Sequence, residues 1–307
     1  MTGLRSWNNI SGGGRVEQID CALCGADKTT AVWVENGLTV VRCKQCGLMY
    51  TNPRDVSEAT GDFFEQTLSG PEALDADEAM MWDASRRARY DEMLKRLAGF
   101  RGPGRHLDVG CGLGYFCQAA EENGWESYGV DPSRRSCVEA AKGLGMGRVF
   151  VGTLEDLPGD AGPFDLISFW DVLEHLRDPA NTLKQAHALL APGGVLFAEV
   201  PNTSFHLVYN RIRRFLERGK GLMYLMPQGH LYHYTRATLK GMLQNAGFER
   251  VDFFAGEPTR VMLVGKNAYS RTLVPLKIAY NQMAKSLFRL SRGRIYLSNS
   301  LSVFASK

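Results

Sequence analysis

One stretch, His106-Leu-Asp-Val-Gly-Cys-Gly-Leu-Gly-Tyr-Phe116, constrains the fold more than any other part of the chain. It reads as a short buried strand, a glycine turn and the first turn of a helix. Gly110, Gly112 and Gly114 remove side chains where backbone must come close to a ligand, and they tolerate the positive φ that such a turn needs. A strand that enters a helix this way opens a nucleotide-binding α/β fold, with the ligand over the carboxyl edge of the sheet. The spacing is G-x-G-x-G, which differs from the G-x-G-x-x-G of dinucleotide sites, and no Gly-Lys-Ser/Thr follows to make a phosphate loop.

The segments that follow fit that opening. Glu126–Asp131 is a second strand ending in an acid, placed to accept both hydroxyls of a ribose. Ser133 is a helix cap. Arg148–Val151, Phe164–Trp170 and Gly194–Val200 are third, fourth and fifth strands, separated by helical patterns, so the expected fold is α/β with a doubly wound, mostly parallel seven-stranded sheet. Ahead of it, Ala79–Phe100 has helical periodicity, with Met80, Tyr90, Met93, Leu94 and Leu97 on one face. Its bland role is packing; its functional role is a lid over the ligand.

The other strong signal is cysteine spacing. Cys21-Ala-Leu-Cys24 and Cys43-Lys-Gln-Cys46 are two C-x-x-C knuckles with eighteen residues between them, the spacing of a four-thiolate zinc site. Gly25 and Gly47 follow the knuckles, and Asn36-Gly37 is a hairpin turn between two alternating runs. A piece this small needs metal to fold, so structural Zn2+ is expected on Cys21, Cys24, Cys43 and Cys46. Trp33 and Tyr50 are assigned to its core, not to base stacking. Seven cysteines without an apolar leader in Met1–Gly14, together with the absence of any long apolar run, give an expected cytoplasmic location. The net charge of +3 is too small to call for nucleic acid. The boundaries read as a loose tail over 1–17, a zinc ribbon over 18–54, a helical lid or linker over 55–104, and a catalytic domain over 105–307 with insertions at 203–228 and 257–297.

From about Tyr90 to Phe254 the chain resembles the class I S-adenosylmethionine-dependent methyltransferases. Asp108-Val-Gly-Cys-Gly-Leu-Gly resembles their first motif, Gly129-Val-Asp-Pro their ribose motif, and Trp170-Asp-Val-Leu-Glu-His-Leu their fourth-strand motif; Leu189-Leu-Ala-Pro-Gly-Gly and Gln244-Asn-Ala-Gly-Phe248 add to the likeness. The resemblance implies S-adenosylmethionine as cofactor, with Gly110 and Gly112 beside its methionine part, Asp131 on its ribose, and Glu155 and Asp156 near its adenine. It also implies that Asp108, Cys111, Pro132, Leu154 and Trp170 bind the cofactor. Many relatives carry an acid where Thr153 stands, so the adenine amine needs another acceptor, Asp156 or a backbone carbonyl. The ribbon is similar to those preceding such domains in enzymes that modify sugars and small metabolites.

Two constellations are candidates for the chemistry. Asp171, Glu174 and His175 fall at i, i+3 and i+4 and would share a helix face if Asp171 opened a helix. They read as a base (His175), as a divalent metal site, or as a capped helix start. The second is Gly229-His-Leu-Tyr-His-Tyr-Thr235, a loop before a helix capped by Thr235, where His230, His233 and Tyr234 would face the acceptor or only brace the loop. Between Ser204 and Gln228, an apolar stripe (Leu207, Val208, Ile212, Phe215, Leu216) beside Arg211, Arg213, Arg214 and Arg218 is a candidate specificity lid. After Glu257 there are nine Lys or Arg and no acid. There, Leu273, Leu276, Tyr280, Met283, Leu287 and Leu290 form a helical seam flanked by Lys277, Lys285 and Arg289, fit for packing, for a homodimer, for a peripheral contact with anionic lipid, or for drawing in a phosphate-bearing acceptor. The reading is methyl transfer to a small molecule or glycan, at oxygen ahead of nitrogen or carbon. Its rivals are an RNA methyltransferase with the ribbon as reader, disfavoured because the Asn/Asp-Pro-Pro-aromatic motif is absent, and a non-catalytic scaffold.

Overall fold

The computed structural model describes residues 16–35, 37–55, 84–216, 225–256 and 274–307. Expectations for Asn36, Met80 and Leu273, for most of the tail and linker, and for parts of both insertions fall outside that set.

The ribbon comes first. Strand β1 is Val16–Glu17, β2 Thr29–Glu35, β3 Leu38–Cys43, β4 Met49–Thr51 and β5 Arg54–Asp55. β2 and β3 form a tight hairpin in which Glu35 pairs with Leu38, and Gly37 supplies the positive φ of 81° that the turn requires. Next comes helix α1, Ala84–Leu97, then β6 Arg105–Val109, α2 Tyr115–Glu121, β7 Glu126–Asp131, α3 Arg134–Leu144, β8 Val149–Val151, β9 Phe164–Trp170, α4 Pro179–Leu189, β10 Leu190–Pro201 and α5 Thr203–Leu216. The chain closes with β11 Tyr232–His233, α6 Arg236–Asn245, β12 Arg250–Phe254, α7 Val274–Leu290 and β13 Ser300–Ser306.

Seven strands form one sheet in the order β12-β13-β10-β9-β6-β7-β8. β6 to β10 are parallel, while β13 runs antiparallel between β10 and β12. The order reverses beside β6, which places a crevice at the carboxyl ends of β6 and β9. The central strands are buried on both faces, which explains their near-continuous apolar character: Leu107, Leu166, Ile167, Phe169, Phe197 and Ala198 are all fully buried.

α1 is mainly a packing helix. Tyr90, Met93, Leu94 and Leu97 join Phe116, Trp125, Phe197 and Phe254 in one core, and Arg89 forms a buried ion pair with Glu199 of β10.

Two expectations are corrected. Asp171 does not open a helix. It bends the chain at φ 53°, residues 171–178 follow as turns, and α4 starts at Pro179 with Asp178 as its cap. Proline fits the first helical turn and the Asp178 carboxylate accepts the Asn181 amide, so the start signal lies seven residues later. The seam expected on α7 also does not pack onto the domain as a whole. Ala284 and Lys285 are buried, whereas Tyr280, Met283 and Leu290 stay exposed. The Lys285 ammonium lies 3.6 Å from Glu92 of α1, and this charge pair, absent from any apolar periodicity, turns the helix. Among the described residues no helix is long and apolar enough to cross a membrane.

Candidate active site and metal centre

The glycine turn is held from several sides. Gly110, Gly112 and Gly114 all have positive φ, between 51° and 78°. A Cβ on Gly110 would stand 2.6 Å from Val172, and one on Gly114 would stand 2.9 Å from Ala140, so packing as well as ligand approach forbids side chains here. The Cys111 side chain occupies the space that a Cβ on Gly129 would need. Asp131 accepts the Gly112 amide at 2.9 Å and the Ser133 amide at 2.8 Å, one on each oxygen. Asp131 thereby ties the glycine turn to the start of α3. Pro132 follows it, half-buried.

Beneath the turn lies a buried polar chain that the sequence did not announce. Asp108 accepts the Ser168 hydroxyl at 2.6 Å, and His106 lies between Ser168 Oγ at 2.8 Å and Ser127 Oγ at 3.0 Å. Strand register brings them together, since Asp108 pairs with Ser168 of β9 and His106 with Ser127 of β7. Burial pushes Asp108 up to about 7 and His106 down to about 3.

The loop after β8 folds as a 3-10 turn over Leu154–Asp156, capped by Thr153. Asp156 turns back to accept the Thr153 amide and hydroxyl at 2.8 and 3.1 Å. Glu155 accepts from Asn181 and Gln185 of α4, and Leu154 is buried. Trp170 packs between Tyr90, Phe116 and Phe197, and its buried indole N–H has no hydrogen-bond partner among the described residues.

The two histidine constellations converge. His175 and His230 rings lie 4.9 Å apart, His230 and His233 6.4 Å apart. Donor atoms of Glu174, His175 and His230 all lie within 4.8 Å of one another. Glu174 is 1% exposed, and among the described residues neither of its carboxylate oxygens has a hydrogen-bond partner; His233 Nε2 is likewise buried and unpartnered among them. His175 Nδ1 lies 2.7 Å from the Gly229 carbonyl, so Nδ1 carries the proton and Nε2 keeps its lone pair. Burial raises the Glu174 carboxyl, with Asp171 adding to it, and lowers all three histidines, His230 and His233 to about 3. Asp171 stands outside the ligand group. Tyr234 is committed elsewhere: its ring is in the core and its hydroxyl donates to the Leu173 carbonyl at 3.3 Å. A surface cavity of about 590 Å³ gathers Arg236, Lys240, Arg289 and Arg292 but shares no lining residue with this cluster.

The four ribbon cysteines also meet. Cys21 and Cys46 sulfurs are 3.4 Å apart, those of Cys24 and Cys43 3.5 Å, and all four sulfurs lie within 4.8 Å. A tetrahedral zinc with Zn–S of ~2.3 Å sets its sulfurs about 3.8 Å apart, so the donor set fits. The knuckles repeat each other: the Gly25 amide donates to Cys21 O and the Gly47 amide to Cys43 O. Amides of Leu23 and Cys24 point at the Cys21 sulfur, and those of Gln45 and Cys46 at Cys43. Tyr50 is fully buried, as expected of a core residue.

A family model described as a methyltransferase domain matches residues 82–252. The chain belongs to the class I S-adenosylmethionine-dependent methyltransferase family. Among curated proteins, this methyltransferase is 37% identical over 108 residues to the ubiquinone biosynthesis O-methyltransferase of Coxiella burnetii, covering 33% of this chain and 46% of that one. To the enzyme of that name from Bordetella avium it is 30% identical over 169 residues, covering 52% and 67%. The methyltransferase spans about half the length of the first of these relatives. Among solved structures, Haemonchus contortus phosphoethanolamine N-methyltransferase 2 aligns with a TM-score of 0.52 at 16% identity, over 84% of this chain and 62% of that one. Magnesium protoporphyrin IX methyltransferase of Synechocystis aligns at 0.50 and 16%, over 82% and 100%. At such identities the likeness is one of fold.

Proposed function

We propose that this methyltransferase moves a methyl group from S-adenosylmethionine to an oxygen of a small-molecule or glycan acceptor, at the cluster of Glu174, His175, His230 and His233. The observation that carries the reading is the unpartnered Glu174 carboxylate. Burying a carboxyl without hydrogen bonds is costly, and it persists where something else is to meet it. The names of the curated relatives support oxygen as the accepting atom. In this reading Gly110, Cys111 and Gly112 border the methionine part of the cofactor, with Asp108 beneath. Asp131 and Pro132 hold the ribose; Leu154, Glu155 and Asp156 border the adenine, and Trp170 closes the site near the sulfonium. Aligning acceptor and methyl in line contributes ~7–11 kcal/mol, and a neutral histidine of the cluster, His233, or His230 where no cation sits on it, takes the hydroxyl proton.

A divalent cation on Glu174, His175 and His230 is a second element of the proposal. The Nδ1–H of His175 on a carbonyl is the outer partner that orients a ligating imidazole, and a cation would answer the orphaned carboxylate. Such an ion would polarise the acceptor hydroxyl. Calorimetry with S-adenosylhomocysteine, then incubation with labelled cofactor and a metabolite extract, tests the reading. Expected are saturable binding and label in a small product. A folded chain that binds neither donor nor demethylated product would overturn it.

A further inference from the structure

The active-site histidine segment is not braced by the catalytic domain alone. β11, Tyr232–His233, is a strand of the ribbon sheet, whose order is β11-β4-β3-β2. Tyr232 pairs with Tyr50 and His233 with Met49. One residue further, the Thr51 amide donates to Leu231 O at 2.9 Å. Its hydroxyl reaches His230 O at 3.2 Å and Pro227 O at 3.4 Å, and Thr51 is 1% exposed. On the opposite flank the Leu231 and Tyr232 amides donate to Glu174 O at 2.7 and 3.0 Å. The segment carrying His230 and His233 is therefore a central rung, with the Glu174 backbone on one side and the ribbon on the other.

The strand that does this is fixed by the cysteines. Only Gly47 and Leu48 separate Cys46 from β4, and the Cys43 amide donates to Leu48 O at 2.8 Å. Cys21, Cys43, Leu48 and Tyr50 share one core with Leu173, Leu231, Tyr232 and Tyr234. Around the rim, Arg54 pairs with Glu17 and donates to Arg177 O at 2.7 Å. The Leu23 carbonyl of the first knuckle accepts from Asn245 of α6 at 2.9 Å. The ribbon residues that make these contacts, from Glu17 to Arg54, lie outside the segment that the family model matches, which starts at residue 82.

We infer that the cysteine-held ribbon is a structural half of the acceptor site: metal on the four cysteines sets the register of His230–His233 through β4, with Thr51 as the positioning residue, while the cofactor side stands without it. The inference rests on the reading of that segment as the acceptor side. The ribbon has too little apolar area to hold its shape without the ion. Losing it would remove β11's neighbour and expose that edge. The glycine turn, Asp131 and Asp108 take their contacts from β6, β7 and β9, so cofactor affinity would remain.

The test uses the full chain and its Cys46→Ser and Thr51→Val variants, with two readouts: S-adenosylhomocysteine affinity by calorimetry, and backbone hydrogen exchange over residues 229–235. Expected for Cys46→Ser is loss of bound zinc, exchange at 229–235 accelerated about a hundredfold, and affinity within about threefold of the parent. Thr51→Val keeps its zinc and removes only the two hydroxyl bonds, for an acceleration of about tenfold. If Cys46→Ser fails to fold, the Thr51 variant alone decides. Parent-like exchange at 229–235 in a folded variant, or a parent that protects this segment while holding no metal, overturns the inference. A parent that ignores S-adenosylhomocysteine overturns the methyl-transfer reading instead.

Discussion

Replacing His106 by asparagine should change the pH dependence of stability more than stability itself. In the native protein burial puts His106 at about 3 and Asp108 at about 7, against ordinary values near 6.5 and 3.8. The two shifts have opposite signs. Below pH 6.5 unfolding lets His106 take up a proton, so its contribution to stability is lost as pH falls toward 3. Above pH 3.8 unfolding lets Asp108 release one, so its contribution is lost as pH rises toward 7. Between about pH 4 and 6.5 these slopes cancel, because folding only moves a proton from the histidine to the carboxyl. The asparagine variant keeps the Asp108 slope and loses the other. From pH 6.5 down to 4 its stability should improve relative to the parent by about 3 kcal/mol, from roughly 2.2 effective units at ~1.4 kcal/mol each, the unfolded histidine being already half-protonated at 6.5. A constant offset of ~1–3 kcal/mol for a hydroxyl left unpaired sits on top and does not alter the slope. Urea unfolding of both proteins at half-unit steps measures the difference. A difference that stays flat across this range would mean that His106 titrates normally in the folded chain, and the buried Ser127–His106–Ser168–Asp108 chain would not be as described.

Other outcomes follow from single contacts. Asp131→Asn should weaken S-adenosylhomocysteine about tenfold to a hundredfold, because a charged acceptor for the ribose is lost; calorimetry at constant salt reads this, and unchanged affinity would remove Asp131 from the site. Arg89→Leu leaves Glu199 buried without its cation and should cost ~3–5 kcal/mol in denaturant unfolding, most of it recovered by adding Glu199→Gln; no recovery would mean that the pair is not the source. Glu174→Gln should abolish binding of Mn2+ followed by electron paramagnetic resonance, while one zinc per chain and nucleoside affinity persist; retained Mn2+ binding would exclude the Glu174, His175, His230 site.

Local chemistry made much of this protein legible. Glycines at 110, 112 and 114, the acid at 131 and the paired knuckles each announce a backbone or donor requirement that no other residue types meet so well. Strand alternation and helix caps such as Ser133 and Thr235 act within a few residues, so they too are written in the chain. The failures share a cause. Asp171 looked like a cap because nothing nearby says that its φ is positive, and the burial of Lys285 on α7 was not legible because its partner Glu92 lies almost two hundred residues earlier. The serines at 127 and 168 looked like ordinary strand residues, since only β-sheet register sets them against His106 and Asp108.

What the sequence alone determined, then, is the set of parts: a parallel nucleoside-binding sheet, a four-thiolate knot and a pool of acids and histidines. Which of those parts touch was decided by tertiary structure. Pairing between strands far apart in sequence draws Thr51 to His230 and gathers Glu174, His175 and His230 into one group around the buried Glu174 carboxyl. No local rule encodes such contacts, because their energy comes from excluding water between segments that meet only when the whole core closes.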